Sequence, residues 1–165
     1  PGAGWQGKAW PPDRFVEICN YLGKRYGMRC VLLGGEDERS LGRLLASKAE
    51  PHIVNLIGAT RAPIAAGIMR QATLYIGNDS GLAHIAAALS TPRIVLFGPT
   101  SASQWGKANA HSIVLKAAPC GEACWPWHPS WACPKADKCI NNISIQDVKS
   151  AIDSLLRATM TKEFS

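Results

Sequence analysis

The sequence predicts an α/β fold, a parallel β-sheet with helices on both faces, and three observations predict it. Short, continuous apolar runs such as Cys30-Val31-Leu32-Leu33 and Arg93-Ile94-Val95-Leu96-Phe97 read as strands buried on both sides. These runs alternate with stretches of helical periodicity, the pattern of βαβ units. Finally, 165 residues with 47% hydrophobic and 18% charged side chains are enough for one well-buried domain.

The elements follow in order. Pro1-Gly2-Ala3-Gly4 is loop-like with no element before it, which suggests a domain separated from something upstream. Pro11-Pro12 can only begin a helix, and Phe15, Ile18, Cys19, Leu22 and Tyr26 recur at helical spacing until Gly27 stops it. The strand from Cys30 to Leu33 runs into Gly34-Gly35. Glu36-Asp37-Glu38 then supplies acids to the first turn of a helix carrying Leu41, Leu44 and Leu45, which Pro51 ends. A strand from about Ile53 to Leu56, a helix from about Pro63 to Gln71 and a strand at Leu74-Tyr75-Ile76 come next. A helix from Leu82 to Leu89 leads to the strand Arg93–Phe97, and Ser112–Lys116 could add an edge strand. Ser144 with Asp147 three residues on is a capping-box-like start for a last helix over about 144–158. The whole reads as one Rossmann-like domain, 1–165, with a cysteine-rich loop at 117–143.

The net charge of +6 would suit phosphates, nucleic acid or an anionic membrane face. The basic residues are dispersed from Lys8 to Arg70 without an aromatic-interleaved stripe, which favours anionic small molecules over nucleic acid. No apolar run approaches the roughly 20 residues that span a bilayer, and the start lacks a signal-peptide layout, so a cytoplasmic protein is expected. Cys19 and Cys30 stand alone and read as core packing, whereas Cys120, Cys124, Cys133 and Cys139 crowd one stretch.

Ligands of open parallel sheets bind beyond the carboxyl ends of the strands. The turn Asp79-Ser80-Gly81 lies there and opens a helix, so free backbone N–H groups and the positive end of the helix dipole would face a diphosphate. Gly81 would allow close approach, Ser80 could donate a hydroxyl bond and Asp79 could accept from sugar hydroxyls; alternatively Asp79 or Ser80 simply caps the helix. His84, one turn in, is either a buried core histidine or a group that orients the Asp79 loop or touches phosphate. The opening glycine-rich segment offers Lys8 as a point charge, though it is not a Walker loop. Glu36 could hold a ribose diol or merely charge a helix start, and Gly98-Pro99-Thr100-Ser101 could close over a ligand or only turn the chain.

Trp10-Pro11 after a glycine-rich start, Gly34-Gly35-Glu36, Asn78-Asp79-Ser80-Gly81-Leu82-Ala83-His84 and Phe97-Gly98-Pro99-Thr100 stand in the order seen in family nine glycosyltransferases. From Pro1 to roughly Leu156 the sequence resembles the C-terminal half of an ADP-heptose:lipopolysaccharide heptosyltransferase. The resemblance implies the donor-binding half of a GT-B fold whose N-terminal acceptor domain is absent. It implies inverting transfer of heptose from ADP-heptose to a lipopolysaccharide inner-core sugar, with no metal or other cofactor required for the chemistry and no nucleic-acid partner. Carried over, Ala3, Gly4 and Lys8 would lie against the diphosphate, Glu36 on the adenosine ribose and Thr60 beside the adenine. Asp79, Ser80 and Gly81 would hold heptose and phosphates, with His84 in support. Ala3 and Gly4 offer backbone only, where some members offer a hydroxyl. Lys8 would stabilise departing ADP, while the general base belongs to the N-terminal domain, so no catalytic residue is assigned here and the chain alone is expected to be inactive. The work would take place in the cytoplasm, with peripheral association at the inner membrane.

Cysteine-rich segments occur at this point in many heptosyltransferase relatives, and the branch that glycosylates autotransporter adhesins carries a four-cysteine iron-binding finger. Cys120, Cys124, Cys133 and Cys139 could therefore enclose a structural Zn or Fe, with His128 as a substitute ligand, or stay unligated or disulfide-paired. The rival functions are another GT-B transferase (a protein heptosyltransferase included), a nucleotide-sugar epimerase, and a cysteine-finger binding module for nucleic acid.

Overall fold

A computed structural model of the chain describes residues 1–3, 6–48, 50, 52–106, 111–117 and 139–160. Helix α1 (Pro12–Tyr26) begins on the expected proline pair and ends at Gly27, whose φ of 66° lies in the left-handed region that glycine enters without strain. Strand β1 (Cys30–Leu32), helix α2 (Arg39–Ser47) and strand β2 (Ile53–Asn55) follow. Then come α3 (Ala62–Arg70), β3 (Tyr75–Asn78), α4 (Gly81–Ala88), β4 (Arg93–Phe97), α5 (Ala102–Trp105), β5 (Ser112–Lys116) and α6 (Ile145–Met160).

Three details differ from the sequence reading. Glu36–Glu38 forms a separate 3-10 turn, and α2 starts only at Arg39. Strand β3 runs on through Gly77 and Asn78, because both pair in register with Val95 and Leu96 of β4. The short α5, capped by the Ser101 hydroxyl accepting from the Gln104 amide at 3.4 Å, is too brief to leave a periodic signal.

All strand pairs are parallel, but they form two hydrogen-bonded units in place of the single sheet expected. One unit is β1-β2 and the other is β3-β4-β5, with β4 in the middle. No ladder joins β1 to β3, because a cavity of about 470 Å³ lined by both strands separates their edges.

Strand β4 is buried throughout and its side chains alternate between two layers. Ile94 and Leu96 enter the main core with Phe15, Ile18 and Leu22 of α1 and Val148, Ile152 and Leu155 of α6. Val95 and Phe97 pack on Ala83 of α4 from the other side. Helices therefore do cover both faces, and each fully buried aliphatic side chain contributes on the order of 2 kcal/mol. A smaller cluster of Val16, Cys19, Leu32, Leu45 and Ile57 seats α2 on β1. Cys19 is buried there, and the Cys30 thiol donates to its carbonyl at 3.8 Å.

The carboxyl-terminal helix is fixed at its start by the expected reciprocal cap. Ser144 N and Oγ both donate to the Asp147 carboxylate, at 2.8 and 2.7 Å, and Asp147 N donates back to Ser144 Oγ at 3.0 Å. Those bonds hold the Asp147 carboxyl below the usual carboxylate range. Asp153, farther along α6, accepts from the Tyr21 and Tyr26 hydroxyls of α1 at 2.5 and 2.8 Å. Just before α1, fully buried Trp10 packs edge-on against Phe15 at 5.1 Å and donates its indole N–H to the Ile143 carbonyl at 2.9 Å.

Candidate functional site

At the carboxyl end of β3 the chain turns through Asp79 and Ser80 into α4. Ser80 is the extended N-cap residue, and its carbonyl accepts from the Ala83 and His84 amides at 3.0 and 3.3 Å. Neither side chain caps the helix: the Ser80 hydroxyl engages the Tyr75 phenol, and Asp79 is held elsewhere. The leading amides of α4 lack intrahelical acceptors and sit at the positive end of its dipole. Gly81, the first helical residue, is exposed, so these groups are open to a ligand.

Asp79 is only 4% exposed, and a carboxylate so buried needs partners. Its Oδ2 receives Lys8 Nζ and Thr100 Oγ1, each at 2.8 Å, while His84 Nε2 lies 3.8 Å from Oδ1. Three separate segments thus converge on one carboxylate: the 3-10 turn Gln6–Lys8, the start of α4 and the loop after β4. His84 is half-exposed, not a core histidine, and with Asp79, Arg93, Phe97 and Gln104 it lines a second cavity of about 390 Å³. Burial, with a contribution from the Asp79 charge, pushes the Tyr75 phenol up to about 12, so it stays a neutral hydroxyl at physiological pH.

The glycine loops allow this convergence. A Cβ on Gly98 would sit 3.1 Å from both the Gly7 carbonyl oxygen and Ile140 Cβ, so the turn bearing Lys8 rests directly on backbone of the loop that bears Thr100.

Asn78, which sequence reasoning did not single out as a site residue, ties the opening segment to the sheet. Its Oδ1 accepts from the Trp10 amide at 3.1 Å, and its Nδ2 donates to the carbonyls of Pro1 and Gly2 at 2.6 and 3.2 Å. The available signal was an amide residue at the end of an otherwise apolar strand, a position where a buried polar group requires bonds.

Of the expected donor-site residues, the structure brings Lys8, Asp79, Ser80, Gly81 and His84 together, with Ala3 half-buried two residues past Pro1. Glu36 and Thr60 stand on the loops that follow β1 and β2. The Glu36 side chain is 81% exposed and 3.3 Å from Arg39, whose guanidinium also donates to the Gly58 carbonyl at 2.8 Å. The two groups of loops meet where the Glu38 carboxylate, itself bonded to the Gly35 amide, packs beside Gly2. Gly4, Cys120, Cys124, His128 and Cys133 lie outside the described residues. Cys139 is half-buried, and its sulfur would lie 3.6 Å from a Cβ on Gly98. Among the described residues no group of three metal-ligating side chains gathers, and no helix is long and apolar enough to cross a membrane.

The arrangement can bind an anion. It offers an ammonium, a helix N-terminus and a loop backbone to negative charge, and a fixed carboxylate beside them to hydroxyl donors.

The model of glycosyltransferase family 9 (heptosyltransferase) matches residues 1–124. Lipopolysaccharide heptosyltransferase 3 of Escherichia coli is 30% identical over 163 residues, covering 93% of this chain and 45% of its own length. The solved structure of a family 9 glycosyl transferase from Veillonella parvula DSM 2008 matches with a TM-score of 0.81 at 27% identity, over 95% of this chain and 44% of that one. That of the E. coli ADP-heptose lps heptosyltransferase II shares the fold at a TM-score of 0.81 and 24% identity, over 97% and 46%. The chain thus spans less than half the length of each of these proteins.

Proposed function

This chain belongs to glycosyltransferase family 9, the heptosyltransferases, and from that footing we propose that it is the donor half of an inverting enzyme that transfers heptose from ADP-heptose to a lipopolysaccharide core sugar. The observation that carries the reading is the convergence of Lys8 and Thr100 on Asp79 at the N-terminus of α4. An ammonium group has three donors. Lys8 therefore keeps one contact on Asp79 and turns others toward the diphosphate, beside the leading amides of α4 and the backbone of Ala3 and Gly4. Asp79 Oδ2 is engaged by Lys8 and Thr100, which leaves Oδ1, on the His84 side, to accept from sugar hydroxyls. Glu36 takes the ribose diol and Thr60 lies by the adenine, on the outer loops.

The chemistry assigned to these residues is electrostatic. As the bond from anomeric carbon to diphosphate breaks, negative charge grows on ADP, and Lys8 with the helix end stabilises it in place. Deprotonation of the acceptor hydroxyl, and attack with inversion, falls to a base on the acceptor half. The chemistry needs no metal, and the acceptor is presented at the cytoplasmic face of the inner membrane.

Calorimetric titration with ADP, UDP and GDP tests the reading. ADP should bind at least tenfold more tightly than the others; a preference for UDP or GDP would assign the domain to a different sugar transferase or an epimerase. Salt-sensitive oligonucleotide binding without ADP binding would instead favour a nucleic-acid module. The chain alone should transfer no heptose, and measurable transfer by it would place a base within these residues.

A further inference from the structure

Strand β3 lays its first side chain along its own length. Tyr75 and Gly77 stand two residues apart and so share a face of the sheet, the one on which the tyrosine packs with Ala83, Val95 and Phe97. A Cβ on Gly77 would overlap Tyr75 Oη and come within 2.7 Å of Cζ. The glycine therefore leaves a trough for the ring, and the phenol lies over it, directed toward the end of the strand. There it meets the Ser80 hydroxyl. Packing alone asks for no hydroxyl at position 75, since phenylalanine would cover the same face.

Ser80 is out of the ordinary as well. A serine at the N-cap usually turns its oxygen to the amides of the next turn, but this one makes no such bond. The leading amides of α4 stay open to a ligand, and the hydroxyl is engaged instead by a residue of the preceding strand.

When two hydroxyls meet, their acidities decide which one donates. A phenol, with an ordinary pKa of about 10, is far more acidic than an aliphatic alcohol and is the better donor. Tyr75 remains a neutral hydroxyl, so its proton is there to give. Ser80 Oγ then accepts, and its own proton is turned away from Tyr75 toward another acceptor. A hydroxyl that already accepts a bond is polarised into a stronger donor.

We propose that Tyr75 is a positioning residue: its phenol, laid over Gly77, donates to Ser80 Oγ and so aims the Ser80 hydroxyl proton at a phosphate oxygen of the ligand held at the start of α4. The identity of that ligand, a nucleoside diphosphate, rests on the donor-half reading. The role of Tyr75 requires only that the ligand present a phosphate.

Calorimetric titration of ADP and of inorganic pyrophosphate into parent, Tyr75→Phe, Ser80→Ala, Ser80→Thr and the two double variants tests the proposal. Tyr75→Phe should weaken both probes fivefold or more when residue 80 is serine or threonine, and less than twofold when it is alanine. Equal weakening with and without the residue 80 hydroxyl would make Tyr75 merely structural and overturn the proposal. So would unchanged affinity in Tyr75→Phe, and either result would leave the donor reading standing. The expected coupling with pyrophosphate, but no preference for ADP over UDP and GDP, would support the role of Tyr75 and reject the donor reading. Binding of neither probe to the parent would overturn both. A second measurement leaves position 75 unmutated. The chain has three tyrosines, and labelling them with 3-fluorotyrosine gives a fluorine resonance for Tyr75. Saturation with pyrophosphate should shift that resonance in the parent and in Ser80→Thr but not in Ser80→Ala. A shift of the same size in all three would overturn the relay through Ser80.

Discussion

Replacing Asn78 by alanine removes three hydrogen bonds from a side chain that is 1% exposed. The amide of fully buried Trp10 loses its acceptor, and the Pro1 and Gly2 carbonyls lose their donors. At about 1 kcal/mol per bond, with an added penalty for the stranded buried N–H, the expected loss of stability is about 3–4 kcal/mol. Asn78→Asp differs in a diagnostic way. It retains an acceptor for Trp10 but loses both donated bonds and sets a second carboxylate next to Asp79, where burial and like charge both oppose ionisation. Its deficit should therefore be at least as large as alanine's at pH 7.5 and should shrink at pH 5 as the introduced carboxyl protonates. Urea unfolding with linear extrapolation at the two pH values measures both quantities. An alanine deficit under about 1 kcal/mol, or an aspartate deficit that ignores pH, would refute the view that Asn78 anchors the opening loop. In whichever variant stays folded, ADP should bind at least tenfold more weakly, since the loop that carries Lys8 is no longer fixed.

Other predictions follow from the same contacts. Lys8→Met should cost about 2 kcal/mol by stranding the Asp79 carboxylate, and adding Asp79→Asn should recover part of it; strict additivity in that double-mutant cycle would show that the pair is not coupled. Gly98→Val should lower the melting temperature and weaken ADP binding together, because a side chain there meets the Gly7 backbone; a melting temperature equal to the parent's would contradict that contact. Stability should fall at both pH extremes through the α1–α6 link. The Tyr21 and Tyr26 bonds hold the Asp153 carboxyl below its ordinary value, so its contribution is complete above about pH 4 and is lost as pH drops through the lower folded value. Burial first, then the Asp153 bond, pushes the Tyr21 phenol up to about 12, so its contribution is complete below about pH 10 and is lost as pH rises through the folded value. Asp153→Asn should flatten the acid limb of the stability profile and Tyr21→Phe the alkaline limb. Metal analysis of freshly purified protein decides between the two readings of Cys120, Cys124, Cys133 and Cys139: one equivalent of zinc or iron would support a structural metal, and none would reject it in favour of unligated or disulfide-paired cysteines.

Much of the architecture was legible because it is written locally. Proline pairs, terminal glycines and runs such as Ile94-Val95-Leu96 report backbone preference and burial within a few residues, and the Ser144–Asp147 cap is a contact between neighbours. The division of the sheet was not legible, since whether β1 pairs with β3 is decided between residues far apart in the chain. The site divides in the same way. A helix starting after Asp79-Ser80 could be read directly, and Lys8 stood out as a charge in a glycine-rich segment. That Thr100 and Lys8 would share one oxygen of Asp79, or that Asn78 would hold Pro1 and Gly2, depends on three-dimensional closure. Glu38 was invisible for the same reason: reading along the chain singled out Glu36, and only the folded structure shows its neighbour Glu38 turned inward against Gly2.

The bonds that shape the opening loop also set an order of assembly. Trp10 is held from Asn78, 68 residues on, and from Ile143, 133 residues on, and Arg14 reaches the Asn141 and Ile143 carbonyls across the same span. Closures this distant carry a loop entropy that local helices do not, so they form after the neighbouring βα units have condensed. The anion-facing loop should thus be among the last parts of the domain to become fixed, once the segment Asn141–Ile143 leading into α6 has docked. Shortening the carboxyl-terminal helix, far from Lys8 in sequence, is a way to slow the appearance of binding competence during refolding while leaving the early secondary structure intact.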